Sequence, residues 1–292
     1  MADAQAECPP IVLAFAASDP SGGAGLQADL LTLASMGCHP LSVVTALTVQ
    51  DTAGVENILA IDSDWVADQA RCLLEDMQID AIKIGVLGSV ENIAAIAEIV
   101  SDYPGVPLVL DPVLASGRGD ELASDEMMHA LTELLLPHTT LLTPNSMEAR
   151  RLAESDDDGE PSLAQCAERL IIAGCDHVLI TGTHEATAQV VNTLYGKSGV
   201  VRSDSWPRLP GKYHGSGCTL ASAIAAMLAN GLALSDAARE AQEYTWQALA
   251  KAYRPGMGQF IPDRLFWARD EKDTRAEESP AEPRRADVRG SH

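Results

Sequence analysis

Short apolar runs alternate with longer segments of helical periodicity along most of this chain. The apolar runs predict strands over residues 11–17, 41–46, 81–85, 107–111, 139–142, 177–181, 189–195 and 199–203. The periodic segments predict helices over residues 25–36, 63–77, 89–101, 124–136, 145–154, 162–173, 218–230 and 234–252. This alternation predicts an α/β fold in which helices cover both faces of a mostly parallel sheet. The last two strands flank Tyr195-Gly196-Lys197-Ser198-Gly199, which indicates a hairpin.

The alternation continues without an interdomain linker or an internal repeat. We therefore expect residues 11–267 to form one domain, after an N-terminal extension of residues 1–10. From about Asp270 the chain is charged, contains proline and loses apolar periodicity, and we expect a disordered tail over residues 268–292. The acidic run at 154–160 lacks the spacing of a calcium-binding loop, so we interpret it as a solvated loop.

Composition narrows the classes of partner. The 292 residues include 20 Lys and Arg against 42 Asp and Glu, a formal net charge of −22. This charge argues against nonspecific binding to nucleic acid or to anionic membranes. The six cysteines form no C-x-x-C pair, and the N-terminus lacks the basic start and apolar core of a signal peptide. We expect a soluble, cytoplasmic protein that binds any phosphate through backbone dipoles and Mg²⁺ rather than through a basic face.

The segment HGSGCTL at 214–220 is the most informative motif. Small residues precede an apolar, alanine-rich helix, so backbone N–H groups can converge on one point where the helix dipole also favours an anion. Cys218 lies at the expected start of this helix, a position that favours the thiolate form. The segment therefore predicts an anion site beside a base or nucleophile. A tight turn that begins an ordinary helix explains the same glycines.

A second glycine-rich segment, Ser18-Asp19-Pro20-Ser21-Gly22-Gly23, follows the first predicted strand. An ordinary strand-to-helix turn and a ligand-binding loop at the carboxyl end of a parallel strand both fit this composition. The spacing matches neither a Walker A loop, since no Lys-Ser/Thr pair follows the glycines, nor a G-x-G-x-x-G dinucleotide fingerprint.

Several charged residues stand at positions that need a partner. Asp111 ends an apolar strand, where an unpartnered carboxylate is costly. Glu148 lies one turn into a helix that begins near Asn145, and a helix cap or a metal site would each explain it. Lys83 lies on a buried strand, where a structural salt bridge and a catalytic role both remain open. Periodicity alone places Asp29 on an exposed helix surface.

Six stretches, in this order along the chain, resemble the hydroxymethylpyrimidine/phosphomethylpyrimidine kinases of the ribokinase-like superfamily. They are SDPSGGAGLQADL (18–30), VVTALTVQDT (43–52), IDAIKIGVLG (79–88), LVLDPV (108–113), LLTPNSMEA (141–149) and HGSGCTL (214–220). The resemblance covers roughly residues 11–267. It implies a ribokinase-like three-layer αβα sandwich with a mostly parallel central sheet. It also implies ATP and Mg²⁺ as cofactors, a small-molecule substrate and a homodimer.

The resemblance also assigns roles to residues of this chain. Cys218 would help to deprotonate or position the attacking hydroxyl, beside N–H groups of Gly215, Ser216 and Gly217, and Asp111 and Glu148 would organise Mg²⁺. Gln50 would read the pyrimidine edge, because an amide offers a donor and an acceptor. The remaining substrate contacts would come from Ala24, Asp29, Thr48, Val86 and Val113. The ATP contacts would come from Arg118, Asn145, Thr181 and Gly182. His214 would contact phosphate or only shape the loop, and both remain open.

Two segments depart from the family pattern. After LDPV this chain reads LASGRGDELA, without the usual lysine, and Arg118 is a candidate to supply the missing positive charge. At 181–185 it reads TGTHE instead of a Lys-Gly-Gly-His segment. The resemblance implies a kinase that phosphorylates 4-amino-5-hydroxymethyl-2-methylpyrimidine and then its monophosphate, on the way to thiamin diphosphate. A pyridoxal or pyridoxine kinase and a non-catalytic pyrimidine-binding regulator are the alternatives.

Overall fold

A computed structural model describes residues 8–115, 119–120, 122–154 and 161–269. Its sheet contains strands β1 (Ile11–Ser18), β2 (His39–Gln50), β3 (Val55–Ala60), β4 (Ala81–Ile84), β5 (Leu108–Leu110), β6 (Leu141–Leu142), β7 (His177–Ile180), β8 (Gln189–Gly196) and β9 (Gly199–Pro207). Their order across the sheet is β3-β2-β1-β4-β5-β6-β7-β8-β9. The strands from β2 to β7 in this order pair in parallel, and β3, β8 and β9 pair antiparallel at the two ends.

The helices form one layer on each face of the sheet. They are α1 (Gly25–Ser35), α2 (Ser63–Asp76), α3 (Val90–Ser101), α4 (Asp125–Ala130), α5 (Ser146–Leu152), α6 (Leu163–Ile172), α7 (Ser216–Ala229) and α8 (Leu234–Ala250). Helices α1, α7 and α8 pack against one another on one face, while α2 to α6 cover the other. The predicted three-layer αβα sandwich is confirmed.

Strand β1 shows how one segment is buried on both sides. Leu13 and Phe15 pack into the core beneath α2 and α3, whereas Val12 and Ala14 pack into the core beneath α1 and α7. Successive side chains of a strand point to opposite faces, so a strand covered on both sides is continuously apolar rather than alternating. Within the described part of the chain, no helix is long and apolar enough to cross a membrane.

The sequence-based boundaries are close for most elements, and the differences have physical causes. Strand β2 continues to Gln50, beyond the predicted 41–46, because β3 pairs with its outer half. Strand β3 itself was not predicted, since it is an edge strand and none of its side chains is fully buried. The predicted helix at 124–136 is α4 followed by a π-helical turn over Leu131–Leu135. The predicted tail beyond residue 269, most of the acidic run and residues 1–7 of the extension lie outside the described residues.

Candidate active site

The two glycine-rich segments meet at the carboxyl edge of the parallel strands. Gly215 is the N-cap of α7 and adopts a left-handed backbone, with φ 78°. A Cβ on Gly215 would lie 1.9 Å from the carbonyl oxygen of Gly23, so only glycine allows this approach. The buried Arg264 donates from Nη2 to that same oxygen at 2.5 Å and from Nε to Thr219 Oγ1 at 3.0 Å. Both loops are thus fixed around the start of α7.

Cys218 lies in the first turn of α7, and only 8% of its surface is exposed. Burial raises the pKa of the thiol to about 12; the nearby Lys83 and the Gly25 N–H oppose this rise, and the Asp111 and Asp29 charges add to it. The expectation that the helix start favours a thiolate is therefore wrong for the ligand-free protein. Desolvation and two carboxylates outweigh the helix dipole and one ammonium. The neutral thiol is instead a hydrogen-bond partner of Asp111.

Asp111 follows β5, and its carboxylate lies against the start of α7. A Cβ on Gly217 would lie 3.6 Å from Asp111 Oδ1, and Oδ2 is buried without a hydrogen-bond partner among the described residues. Burial raises the pKa of Asp111 to about 6; Lys83 lowers it and Asp29 raises it. A buried carboxylate oxygen without a donor is costly, so this atom fits a bound cation.

Glu148 is placed by the cap of α5. Its carboxylate accepts the backbone N–H of Asn145 at 2.9 Å, while the Asn145 side chain accepts the N–H groups of Met147 and Glu148. The helix-cap explanation of this pair is confirmed. Burial and then the charge of Asp111 raise the pKa of Glu148 to about 8, against hydrogen bonds from Asn145 and Leu114. The influence of Asp111 on Glu148 indicates two neighbouring carboxylates that repel each other.

Such a pair fits Mg²⁺, which is commonly held by one or two carboxylates, with waters and substrate phosphates completing its shell. No cluster of three or more His, Cys, Asp or Glu side chains suited to a metal occurs in the part of the chain that the structure describes. Asp111 and Glu148 alone would therefore not form a closed protein cage.

Lys83 and Asp29 form a buried ion pair behind Cys218. Lys83 Nζ lies 2.9 Å from both carboxylate oxygens of Asp29, and Ser222 Oγ donates to Asp29 at 2.8 Å. Burial lowers the pKa of Lys83, but Asp29, Cys218 and Asp111 raise it, and the net shift is upward. Asp29 is fully buried, so its expected exposure is wrong. With no accessible surface and all its contacts internal, Asp29 is not placed to touch a substrate in this structure.

The remaining substrate-side residues are half-buried: Ala24, Thr48, Gln50, Val86 and Val113. Thr48 and Gln50 point to the same side of β2, and Thr48 Oγ1 lies 3.1 Å from Gln50 Oε1. Val86 and Val113 line one apolar cavity of about 20 Å³ together with Met127 and Met128. The structure therefore brings these residues together in two groups. One group lies at the end of β2, and the other, Val86 and Val113, lies just beyond the ends of β4 and β5.

On the expected ATP side, Asn145 and Thr181 are joined by a backbone bridge between the ends of β6 and β7. Gly182 is buried, and a Cβ there would lie 2.2 Å from the Val191 carbonyl oxygen. Close packing on β8 thus explains this glycine without a nucleotide. Arg118 lies outside the described residues.

Sequence reasoning did not identify three polar residues that organise the site. Arg264 joins the two glycine-rich segments, and Asp19 accepts four hydrogen bonds around the first of them. Arg208 donates to the carbonyl oxygens of Thr183, Glu185 and Thr187. Asp19 had a visible signal in its glycine-rich context. The two arginines had none, because they act on carbonyl oxygens far away in the sequence.

Comparisons with known proteins bear on the family and the fold of this chain. A family model described as phosphomethylpyrimidine kinase matches residues 19–263. The hydroxymethylpyrimidine/phosphomethylpyrimidine kinase of Escherichia coli is 37% identical over 242 residues, which cover 82% of this chain and 91% of that protein. The thiamine biosynthesis bifunctional protein ThiED of Geobacter sulfurreducens is 38% identical over 263 residues. That match covers 90% of this chain, which spans only 54% of the bifunctional protein.

Solved structures are similar over most of the chain. The phosphomethylpyrimidine kinase of Clostridium difficile has a TM-score of 0.71 and 32% identity, covering 82% of this chain and 99% of that one. The pyridoxal kinase of Staphylococcus aureus, in complex with AMP-PCP and pyridoxal, has a TM-score of 0.78 and 26% identity. That match covers 90% of this chain and 96% of the kinase.

Proposed function

Since the chain belongs to the phosphomethylpyrimidine kinase family, and is thus a phosphotransferase of thiamine biosynthesis that uses ATP, we propose that it phosphorylates its pyrimidine twice. The first acceptor is the hydroxymethyl group of 4-amino-5-hydroxymethyl-2-methylpyrimidine, and the second is the resulting monophosphate. The second step is supported by the similarity to proteins named hydroxymethylpyrimidine/phosphomethylpyrimidine kinase. The observation that supports catalysis rather than binding alone is the juxtaposition of Cys218 and Asp111, whose Oδ2 has no partner among the described residues, at the start of α7. A pure pyrimidine-binding regulator needs neither group.

Phosphoryl transfer depends on positioning and charge stabilisation more than on covalent help from the protein. The backbone N–H groups of Gly215 to Cys218, at the positive end of α7, bind the γ-phosphate. The neutral Cys218 thiol accepts a hydrogen bond from the attacking hydroxyl and orients it. Because burial raises the pKa of the thiol to about 12, we assign Cys218 a positioning role rather than proton removal.

Asp111 and Glu148 would hold Mg²⁺, since Asp111 Oδ2 has no hydrogen-bond partner among the described residues and the cap of α5 fixes Glu148 beside it. When bound, the ion would neutralise phosphate charge. The pyrimidine ring would lie between the two groups of substrate-side residues, with Ala24, Thr48 and Gln50 on one side and Val86 and Val113 on the other, and Gln50 would contact the ring edge. Asn145, Thr181 and Gly182 contact ATP, and Arg118 grips the phosphate of the monophosphate substrate.

Net charge, cysteine content and exposed apolar side chains support proposals about the compartment, the partners and the oligomeric state of the protein. A net charge of −22 supports a protein that does not bind nucleic acid. Six free cysteines support a reducing, cytoplasmic compartment. Four large apolar side chains on and near the β2–β3 edge are 46% to 69% exposed and support a homodimer: Leu47, Val49, Leu59 and Trp65. Light scattering coupled to size-exclusion chromatography tests the dimer.

We assign the kinase domain to residues 11–267, with an extension before it and a tail at 268–292.

A coupled ADP-release assay tests the function against a panel of pyrimidines and vitamin B6 forms. We expect the hydroxymethylpyrimidine to be turned over faster than pyridoxal, and mass spectrometry to detect monophosphate before diphosphate. Arg118→Ala should slow the second step more than the first. Faster turnover of pyridoxal would favour a pyridoxal kinase, which the similarity to the Staphylococcus aureus enzyme makes the second candidate. Monophosphate as the only product would contradict the double phosphorylation.

A further inference from the structure

Three polar side chains converge where the first glycine-rich segment meets the end of β2. His214 Nε2 lies 2.8 Å from Asp19 Oδ2 and 2.8 Å from the nitrogen end of the Gln50 amide. His214 and Asp19 are both buried, with 8% and 2% of their surfaces exposed. The imidazole ring packs on Gly23, where a Cβ would lie 2.2 Å from His214 Cδ2. The ring is therefore fixed by packing as well as by hydrogen bonds.

Asp19 determines which atom of this cluster carries the proton. Its carboxylate accepts the backbone N–H groups of Ser21 and Ala24, each at 2.8 Å, and the Ser21 hydroxyl at 3.0 Å. Burial would raise the pKa of Asp19, but hydrogen bonds from His214, Ser21 and Ala24 hold it below its usual value. Asp19 is thus an ionised, acceptor-only group. Its contact with His214 Nε2 requires that this nitrogen carry a hydrogen and donate it.

A donating His214 Nε2–H cannot face the NH₂ end of an amide, because both groups are donors. The two ends of an amide have nearly the same shape, and their partners decide which is oxygen. Turning the Gln50 amide over places Oε1 on His214 and the NH₂ group on Thr48 Oγ1. The Thr48 hydroxyl is free to accept there, because it donates its own hydrogen to the Ser18 carbonyl oxygen at 3.0 Å. The one hydrogen on His214 Nε2 then serves two acceptors, Asp19 Oδ2 and Gln50 Oε1, as a three-centre hydrogen bond. The contacts from Gln50 to Thr48 and from Thr48 to Ser18 each join a donor to an acceptor.

We infer that His214 is a positioning residue that fixes the donor–acceptor order of the Gln50 amide and so selects an aminopyrimidine edge over an oxopyrimidine edge. The inference rests on the proposed function, in which Gln50 faces the ring. An aminopyrimidine presents a ring nitrogen that accepts beside an amino group that donates. The corresponding 4-oxo ring presents N–H and oxygen in the opposite order. A freely turning amide would bind both rings, whereas one held by His214 matches only the amino form.

The experiment compares the 4-amino substrate with its 4-oxo analogue in wild type, His214→Phe and Gln50→Leu. Phe keeps a ring on Gly23 but removes the N–H donor. We expect wild type to prefer the amino form in kcat/KM by roughly 10-fold to 100-fold, the range for one mismatched amide–base edge. His214→Phe should lose most of this preference, mainly through KM for the amino form. Gln50→Leu should lose it equally, which locates the discrimination at the amide.

A merely structural role of His214 predicts a different result, namely equal losses for the two rings with the preference kept. That outcome would overturn the inference. Long-range ¹H–¹⁵N correlation of wild-type protein provides a readout that needs neither substrate nor variant. A protonated His214 Nε2 supports the inference, and a hydrogen only on Nδ1 overturns it. If neither pyrimidine is phosphorylated by wild type, the proposed function fails, and the protonation of Nε2 still decides whether His214 orients the amide.

Discussion

The ammonium of Lys83 lies 2.9 Å from the carboxylate of Asp29, and neither side chain has any exposed surface. The pair lies between β4 and α1, and Ser222 from α7 completes the coordination of Asp29. It therefore ties the sheet to the two helices that border the candidate site. The attraction between the two opposite charges offsets the cost of removing each of them from water.

Removing one member of the Lys83–Asp29 pair should strongly destabilise the folded protein. Lys83→Met leaves the Asp29 carboxylate buried without its counter-ion, and we expect a loss of about 3–5 kcal/mol in the free energy of unfolding. The double variant Lys83→Met/Asp29→Leu should lose much less, because no isolated charge remains. Urea denaturation of both variants checks this. A single variant as stable as the double one would show that the two charges are not coupled.

Cys218 should be chemically unreactive in the ligand-free protein. Its thiol is buried and its pKa is raised to about 12, so the thiolate is scarce near neutral pH. Iodoacetamide labelling followed by mass spectrometry should modify the exposed Cys72 well before Cys218. Cys218→Ala should nonetheless lower kcat by roughly 10²-fold, the scale for misplacing a reacting group by about 1 Å, with little change in ATP binding. Near wild-type turnover would reduce Cys218 to a packing residue.

The layer architecture was predictable because continuous apolar runs such as 11–17 identify strands covered on both faces, and glycines identify the loops at their ends. Strand β3 was not predictable, since Val55–Ala60 has no clear alternation and gains its structure by pairing with β2. The motifs indicated Cys218, Asp111 and Glu148, which the structure places near one another. The charge state of Cys218 was not predictable, because burial depends on contacts between distant segments. For the same reason Asp29 was expected on the surface and lies in the core.

Glu148 should lower the stability of the protein at alkaline pH when no metal is bound. Its pKa is raised from 4.5 to about 8, so the folded state holds a proton that the unfolded state has released. The contribution of this proton to the free energy of unfolding is fully present below pH 4.5. It is lost as the pH rises from 4.5 through about 8. Glu148→Gln should therefore raise the melting temperature at pH 8–9, by roughly 2–4 °C for each kcal/mol gained. The difference should vanish below pH 4.5, and its persistence there would refute the assignment.

The same carboxyl should make the Mg²⁺ requirement depend on pH. Mg²⁺ binds the ionised form, so the Mg²⁺ concentration for half-maximal rate should rise as the pH falls below about 8. In Glu148→Gln this concentration should be higher throughout and less dependent on pH. Glu98→Gln is a matched control, because Glu98 is an exposed carboxylate that pairs with Arg71 at 2.9 Å and belongs to no part of the candidate site. If both variants change the Mg²⁺ requirement equally, the effect comes from overall charge rather than from a metal site.

Arg208 should control the affinity for ATP without touching the reacting groups. It is an exposed residue just after β9, yet its guanidinium donates to three carbonyl oxygens of the 183–187 loop, at 2.7, 2.9 and 3.2 Å. This loop follows Thr181 and Gly182, which we propose as ATP contacts. Arg208→Ala removes these three hydrogen bonds and leaves the 183–187 loop less ordered. ATP binding must then order the loop, and this lowers the affinity for ATP. We expect KM for ATP to rise about 10-fold, which corresponds to about 1.4 kcal/mol, with kcat changed by less than about 2-fold.

The matched control for Arg208 is Arg202→Ala on strand β9. This substitution removes the same charge, but Arg202 pairs with Asp204 at 2.9 Å and, among the contacts of the described residues, donates to no carbonyl of the 183–187 loop. Its KM for ATP should stay near the wild-type value. Arg208→Lys should recover only part of the lost affinity, because an ammonium lacks the planar fork that spans several carbonyl oxygens. If Arg202→Ala raises KM as much as Arg208→Ala does, long-range charge rather than loop order explains the effect.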